Sequence, residues 1–297
     1  MADLPGLERS LFWILVILEP YLDDIVLIGG WVPHVYRRFG GFPSWEGKTS
    51  LTSEVDVLVR DAIPPSGRST LPETLETAGF GPQTKESPVA VWIKDQGVGE
   101  KVEFLVPSTG IAMDEGRVKL IGEQGKLGAV ALDALWLLSD YTQRLCISKS
   151  AVEAAGINVS SEIACQVPML GAYLLNKGAT FMNRRSLSNG DNQKRFKDLL
   201  YIRDLMAAGQ DVVRYLEADI QEVVGSDRRA SLYANTAGSN VKLVLSETNR
   251  RSISEAGAML AEREGMSAAA AAADIEGHLT DFTEMVGRTT ASQAHEV

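Results

Sequence analysis

Long hydrophobic runs are missing from this chain. The nearest approach, residues 11–22, is short and is interrupted by Glu19 and Pro20. A helix that crosses a bilayer needs about 20 apolar residues, and the charged region of a signal peptide does not precede this stretch. It reads as a buried N-terminal helix, so no membrane partner is expected. Cysteine is scarce as well, with Cys146 and Cys165 the two in 297 residues. Neither has CxxC or Cys/His ligand spacing, which argues against structural zinc. Both read as reduced core residues of a cytoplasmic protein. Positive charge is also short, at a net −10. That balance excludes non-specific nucleic-acid binding over a broad surface but leaves room for a local basic site. No repeat of fixed period is visible.

What is present describes a soluble globular protein: 45% apolar residues with mixed charge, and a length that suits about two domains. Residues 8–22 read as a helix and Ile25–Ile28 as a strand. The chain then turns at Gly29-Gly30 into a short helix over 31–39, with Pro33 tolerated in its first turn. Residues 39–51 are rich in Gly, Pro and Ser and read as a loop. A second strand covers 54–60. A helix over 69–78 is capped by Ser69 and ended by Gly79. Residues 89–94 and 101–106 read as a hairpin, and 118–121 as a further strand. The fold class is therefore α+β, a small mixed β-sheet with flanking helices over 1–125. A mainly helical domain follows over 126–297. Its helices are expected at 131–140, 168–183, 194–208 and 212–224, with an alanine-rich stretch at 266–286. Residues 184–193 are expected as a mobile polar loop, and 292–297 should fray.

The chemistry concentrates in Thr52-Ser53-Glu54-Val55-Asp56-Val57-Leu58-Val59. Side chains two apart on a strand point the same way, roughly 6–7 Å apart along the chain. Glu54 and Asp56 thus share one face while Val55, Val57 and Val59 bury the other. Like charges so placed repel unless a cation sits between them, and a hard divalent ion with oxygen ligands is the usual solution. Upstream, Gly29-Gly30 permits positive φ and close approach of a phosphate, and the helix N-terminus that follows attracts anions. Glu103, on the strand Val102-Glu103-Phe104-Leu105-Val106, would converge on the same ion if that strand lies beside 54–60. There it could ligate metal or take a proton from an attacking hydroxyl; otherwise it is a surface glutamate opposite Lys101.

In the helical half, Leu170, Leu174 and Lys177 fall at i, i+4 and i+7, so the lysine continues a buried stripe. Asp198 shares a face with Ile202 and Leu205 at the same spacing. The two read either as a paired functional site or as a structural ion pair. Between 177 and 203 stand Lys177, Arg184, Arg185, Lys194, Arg195, Lys197 and Arg203 against Asp191 and Asp198, a local net charge of +5. A solvated helix face explains part of that excess, and a site for triphosphate or RNA backbone explains its concentration near Lys177.

Taken together, Gly29-Gly30, Glu54-Val55-Asp56 and Glu103 resemble the nucleotidyltransferase superfamily related to DNA polymerase beta. The segments Ile28-Gly29-Gly30-Trp31 and Thr52–Val59 are similar, more particularly, to the abortive-infection AbiEii branch and neighbouring bacterial groups. So are Val167-Pro168 through Lys177 and Lys197-Asp198-Leu199-Leu200-Tyr201-Ile202 through Leu205. The likeness covers roughly residues 20–210. It departs from the pattern in Glu54, where aspartate is usual, and in a longer gap between Gly30 and Glu54. The resemblance implies transfer of a nucleoside monophosphate from an NTP to an acceptor hydroxyl. Glu54, Asp56 and Glu103 would hold Mg²⁺ or Mn²⁺, Gly29 and Gly30 would cradle phosphate, Lys177 would hold a phosphate, and Asp198 would orient that lysine or the acceptor. It further implies tRNA or another RNA as acceptor and a toxin role in a type IV toxin–antitoxin pair, with a cognate antitoxin as partner. The alternatives are a small-molecule acceptor such as an antibiotic, and a non-catalytic relative that binds nucleotide or a partner protein.

Overall fold

The computed structural model describes residues 4–50, 52–60, 70–84, 90–94, 100–108, 118–120, 127–132, 134–183, 192–246 and 250–294. The chain divides into two compact units. Unit 1 comprises Met1–Gly41 and Leu51–Pro168, and unit 2 comprises Phe42–Ser50 and Met169–Val297. The class is mixed α and β, with a helical C-terminal region, as the sequence leads one to expect.

Unit 1 begins with α1 (Leu4–Ile17), which buries Leu11, Phe12, Ile14 and Leu15. The helix is shorter than the expected 8–22 at its far end, because the Glu19-Pro20-Tyr21 segment tightens into a 3₁₀ turn. Strand β1 (Ile25–Ile28) is buried at every position. A 3₁₀ turn over Gly29–Trp31 then leads into α2 (Val32–Phe39), with Pro33 in its first turn. There follow β2 (Glu54–Val59), α3 (Leu71–Thr77), β3 (Phe80–Pro82), β4 (Val91–Lys94) and β5 (Lys101–Pro107). Helix α3 is capped by Thr70, whose hydroxyl takes the Glu73 N–H while the Glu73 carboxylate accepts from the Thr70 N–H. The expected cap, Ser69, lies outside the described residues, as do 184–191 of the expected mobile loop and 295–297 of the expected fraying end.

The chain continues through β6 (Val118–Leu120), β7 (Gly128–Leu132), α4 (Leu135–Asp140), β8 (Thr142–Ile147), α5 (Lys149–Ala154) and β9 (Ile163–Pro168). All of these strands join one mixed sheet, ordered β3-β4-β5-β2-β1-β9-β8, with β7 also on β5 and β6 on β7. The expected hairpin of β4 and β5 is antiparallel, pairing Val91 with Glu103 and Ile93 with Lys101. The boundary expected at 125/126 differs from the structural division, because the chain keeps adding strands to this sheet up to Pro168. Ala131, expected in a helix, instead pairs with Val106 in parallel β5–β7 register, and the helix starts at Leu135. Packing against a partner strand overrides the weak local preference of alanine for helix. Cys165 is buried on β9, but Cys146 is exposed on β8, which ends the sheet path, so one of the two expected core cysteines faces outward. Both are free thiols, and burial pushes that of Cys165 up to about 12.

Unit 2 is built from α6 (Leu170–Asn183), α7 (Asn192–Met206), α8 (Gln210–Ser226), α9 (Arg228–Leu245), α10 (Arg250–Glu264) and α11 (Ala268–Ala294). Phe181, Leu174, Leu216, Ile220, Val241, Leu279 and Phe282 are fully buried in its core. Helices α6 and α8 approach so closely at Gly171 that a Cβ there would lie 2.6 Å from that of Asp219. In return the Asp219 carboxylate accepts the Gly171 N–H at 3.1 Å, capping α6 from a neighbouring helix. Burial pushes the Asp219 carboxyl up to about 6, against the pull of the Gly171 and Leu170 N–H groups.

Residues 42–50 form no helix or strand, as expected of a loop, yet they pack into unit 2. The Ser50 N–H and hydroxyl both donate to one Asp204 oxygen, at 2.9 and 2.8 Å. Arg263 donates to both Asp204 oxygens, at 2.7 and 2.6 Å. This two-toothed guanidinium–carboxylate pair satisfies a carboxylate that is 2% exposed. No helix among the described residues is long and apolar enough to cross a membrane.

Candidate metal centre

Strand register brings the expected acids together. Strand β2 pairs in parallel with β5, which sets Asp56 opposite Glu103 and Glu54 opposite Lys101. All four side chains therefore share one face of the sheet. The opposite face of β2 carries Val55, Val57 and Val59, each at most 1% exposed. Burying a valine contributes about 1.5–3 kcal/mol, and a one-residue slip would turn these valines to the acid face. The apolar face thereby holds the carboxylates in position.

One oxygen from each of Glu54, Asp56 and Glu103 lies within 4.8 Å of the others. An ion with oxygen bonds of 2.0–2.6 Å places opposite ligands about 4–5 Å apart. The three carboxylates thus have the donor chemistry and the spacing to hold a hard metal ion. All three are half-buried, which leaves room for water or a substrate oxygen to complete the coordination.

The diglycine turn sits against the same acids. Ile28 pairs with Asp56 across antiparallel β1–β2, so the residue after it, Gly29, lies over the Asp56 side chain. Gly29 has φ of 73°, and a Cβ there would overlap the Asp56 carboxylate. Glycine is required twice over, by the left-handed backbone and by the close approach. Gly30 is buried in the 3₁₀ turn. Trp31 is 1% exposed, and its indole N–H donates to the Glu54 carbonyl at 3.1 Å. That bond fastens the start of β2 to the turn.

Lys101 completes the cluster. Its ammonium lies 2.8 Å from Glu54 Oε2 and 3.5 Å from Glu103 Oε2. Burial works against the Lys101 charge, but the hydrogen bond to Glu54 and the charges of Glu103, Glu54 and Asp56 outweigh it and raise its pKa. Sequence pattern alone assigns Lys101 no part in the site. The alternation Lys101-Val102-Glu103 puts it on the acid face, but only the β2–β5 register sets it opposite Glu54.

The other expected pair lies within unit 2. Lys177 Nζ stands 3.2 Å from Asp198 Oδ1, with the two side chains 8% and 1% exposed. The ammonium also lies over the rings of Tyr173 and Tyr201, at 5.2 and 5.1 Å. The pairing is as expected, and its burial fits a structural ion pair. Of the basic residues near it, Arg203 is engaged by Asp274 at 2.6 Å. Arg184, Arg185 and Asp191 lie outside the described residues, as do the side chains of Lys194 and Arg195.

Unit 1 also contains a cavity of about 750 Å³, lined in part by Trp13, Lys94 and Glu100 and by none of the three clustered acids. Its lysine is already paired with Glu100 at 3.2 Å and stacked on Trp13 at 5.2 Å. The acid face is therefore the stronger candidate. No protein-family model, curated protein or solved structure matches this chain.

Proposed function

We propose that the protein is a metal-dependent nucleotidyltransferase that moves a nucleoside monophosphate from an NTP to an acceptor hydroxyl. The observation that carries this reading is the convergence of Glu54, Asp56 and Glu103 within 4.8 Å, beside a left-handed glycine turn packed against the Asp56 carboxylate. Mg²⁺ or Mn²⁺ on these oxygens would neutralise the triphosphate and align it for in-line displacement. On the resemblance, Gly29 and Gly30 would cradle phosphate. Glu103 takes the proton of the acceptor hydroxyl as its oxygen attacks the α-phosphorus. The bond from that phosphorus to the bridging oxygen of the β-phosphate breaks, and pyrophosphate leaves. Glu54 reaches one methylene further than the aspartate usual in the superfamily it resembles.

Continuing the resemblance, the acceptor is tRNA or another RNA, and the chain acts in the cytoplasm as the toxin partner of a cognate antitoxin. The resemblance implies phosphate-holding and orienting roles for Lys177 and Asp198, but with side chains 8% and 1% exposed they form a structural ion pair, and this reading gives them no part in the transfer. A small-molecule acceptor such as an antibiotic is the second reading, because the half-buried acid face leaves the choice of hydroxyl open.

Incubation with each labelled NTP, Mg²⁺ and total tRNA tests the first reading. Label on RNA supports it, and label on small acceptors alone moves the assignment to the second. Asp56→Ala should abolish transfer while leaving the melting temperature of the metal-free protein within a few degrees, since it removes one of three crowded like charges. Retained transfer in that variant refutes the assignment of the acid cluster as the site of transfer. Growth should slow on expression of the wild type and recover with Asp56→Ala; equal growth removes the toxin role.

A further inference from the structure

Lys101 is the feature of the acid face that the proposed reaction does not use. It projects from the position directly opposite Glu54 and two residues before Glu103, so both flanking carboxylates are within its reach by register alone. Its ammonium sits at 2.8 Å from one and 3.5 Å from the other. Those are the carboxylates whose oxygens also meet Asp56 within 4.8 Å. The three acids carry a formal charge of −3, and the lysine reduces the cluster to −2. A charge-assisted hydrogen bond of this length uses lone-pair density that a metal ion would need. Lys101 is 28% exposed on a flexible stem, so it can leave the cluster for water without unfolding the strand.

We propose that Lys101 is the built-in counter-cation of the acid cluster. Its ammonium competes with a divalent ion for Glu54 and Glu103, and so sets how tightly the site takes metal. The inference rests on the metal reading above and deepens it. In the metal-free protein the lysine holds three repelling carboxylates in a preformed arrangement. A metal ion entering the site must displace it from Glu54 or bind beside a residual positive charge. Either route weakens binding relative to three unshared carboxylates, and the freed ammonium is then available to a phosphate oxygen of the substrate.

The test reads metal binding in the full chain, by titration with Mn²⁺ and electron paramagnetic resonance of the free ion. Lys101→Met should bind Mn²⁺ about tenfold more tightly than wild type or better, given the strength of a charge interaction at this distance in a half-buried site. Lys101→Gln, which keeps a donor to Glu54, should shift the same way and decides the matter if the methionine variant fails to fold. Lys101→Arg should stay near wild type. Adding Asp56→Ala to Lys101→Met should lose the gain. Wild-type binding with no tightening in either neutral variant overturns the competition and leaves the metal site standing. No Mn²⁺ binding in any of the proteins, wild type included, overturns both.

Discussion

Each of the two units holds a lysine against carboxylates, with the same atoms and opposite surroundings. In unit 1, Lys101 and Glu54 are 28% and 25% exposed. In unit 2, Lys177 and Asp198 are 8% and 1% exposed. A half-open pair can exchange its partner for water, metal or substrate at modest cost, because solvent takes up the charge released. In a buried pair each charge depends on the other, because no water can replace it. The composition of a pair therefore says little about its role, and the depth at which the fold places it says much.

Breaking the buried pair should have the largest effect. Lys177→Met leaves Asp198 charged in the core and should cost about 3–5 kcal/mol in urea unfolding. Lys177→Met with Asp198→Leu should recover most of that loss. A single-variant cost below about 1 kcal/mol would erase the contrast between the two pairs.

Asp219 sharpens the same comparison, being a buried carboxylate held by backbone N–H groups. Its folded pKa of about 6 lies above the ordinary 3.8, so between those values the folded state binds more protons than the unfolded chain. Stability from this group is present in full below about pH 4 and falls as pH rises through 6, by up to about 3 kcal/mol. Asp219→Asn should flatten the unfolding free energy over that range; an unchanged slope would assign it to other groups.

At the open site, Gly29→Ala should cost about 1–2 kcal/mol for the left-handed backbone. It should also weaken Mn²⁺ binding, because the added methyl displaces the Asp56 carboxylate. Smallest of all, Lys101→Met should change the stability of the metal-free protein by no more than about 1 kcal/mol. A loss as large as that of Lys177→Met would show that Lys101 is a structural staple like its counterpart.

Local pattern was enough for β1, the diglycine turn and β2, since Ile25–Ile28 and the alternation around Val55, Val57 and Val59 need only their own neighbours to be read. The same pattern named Glu54, Asp56 and Glu103, and the 3.6-residue period put Lys177 and Asp198 on inward helix faces. It could not extend unit 1 to Pro168, because β9 earns its place by parallel pairing with β1, at Val26 and Gln166. Nor could it show that residues 42–50 pack with the helices through Asp204 and Arg263, which lie far along the chain.

The amino-acid order alone determined which residues would be charged, which face of each strand would be apolar, and where only glycine could turn. Tertiary structure decided that Lys101 stands opposite Glu54, that the three acids share one point in space, and that the Lys177–Asp198 pair is sealed from water. Those outcomes depend on register and depth. Both are set by contacts between segments distant in sequence, whose energies no local window contains.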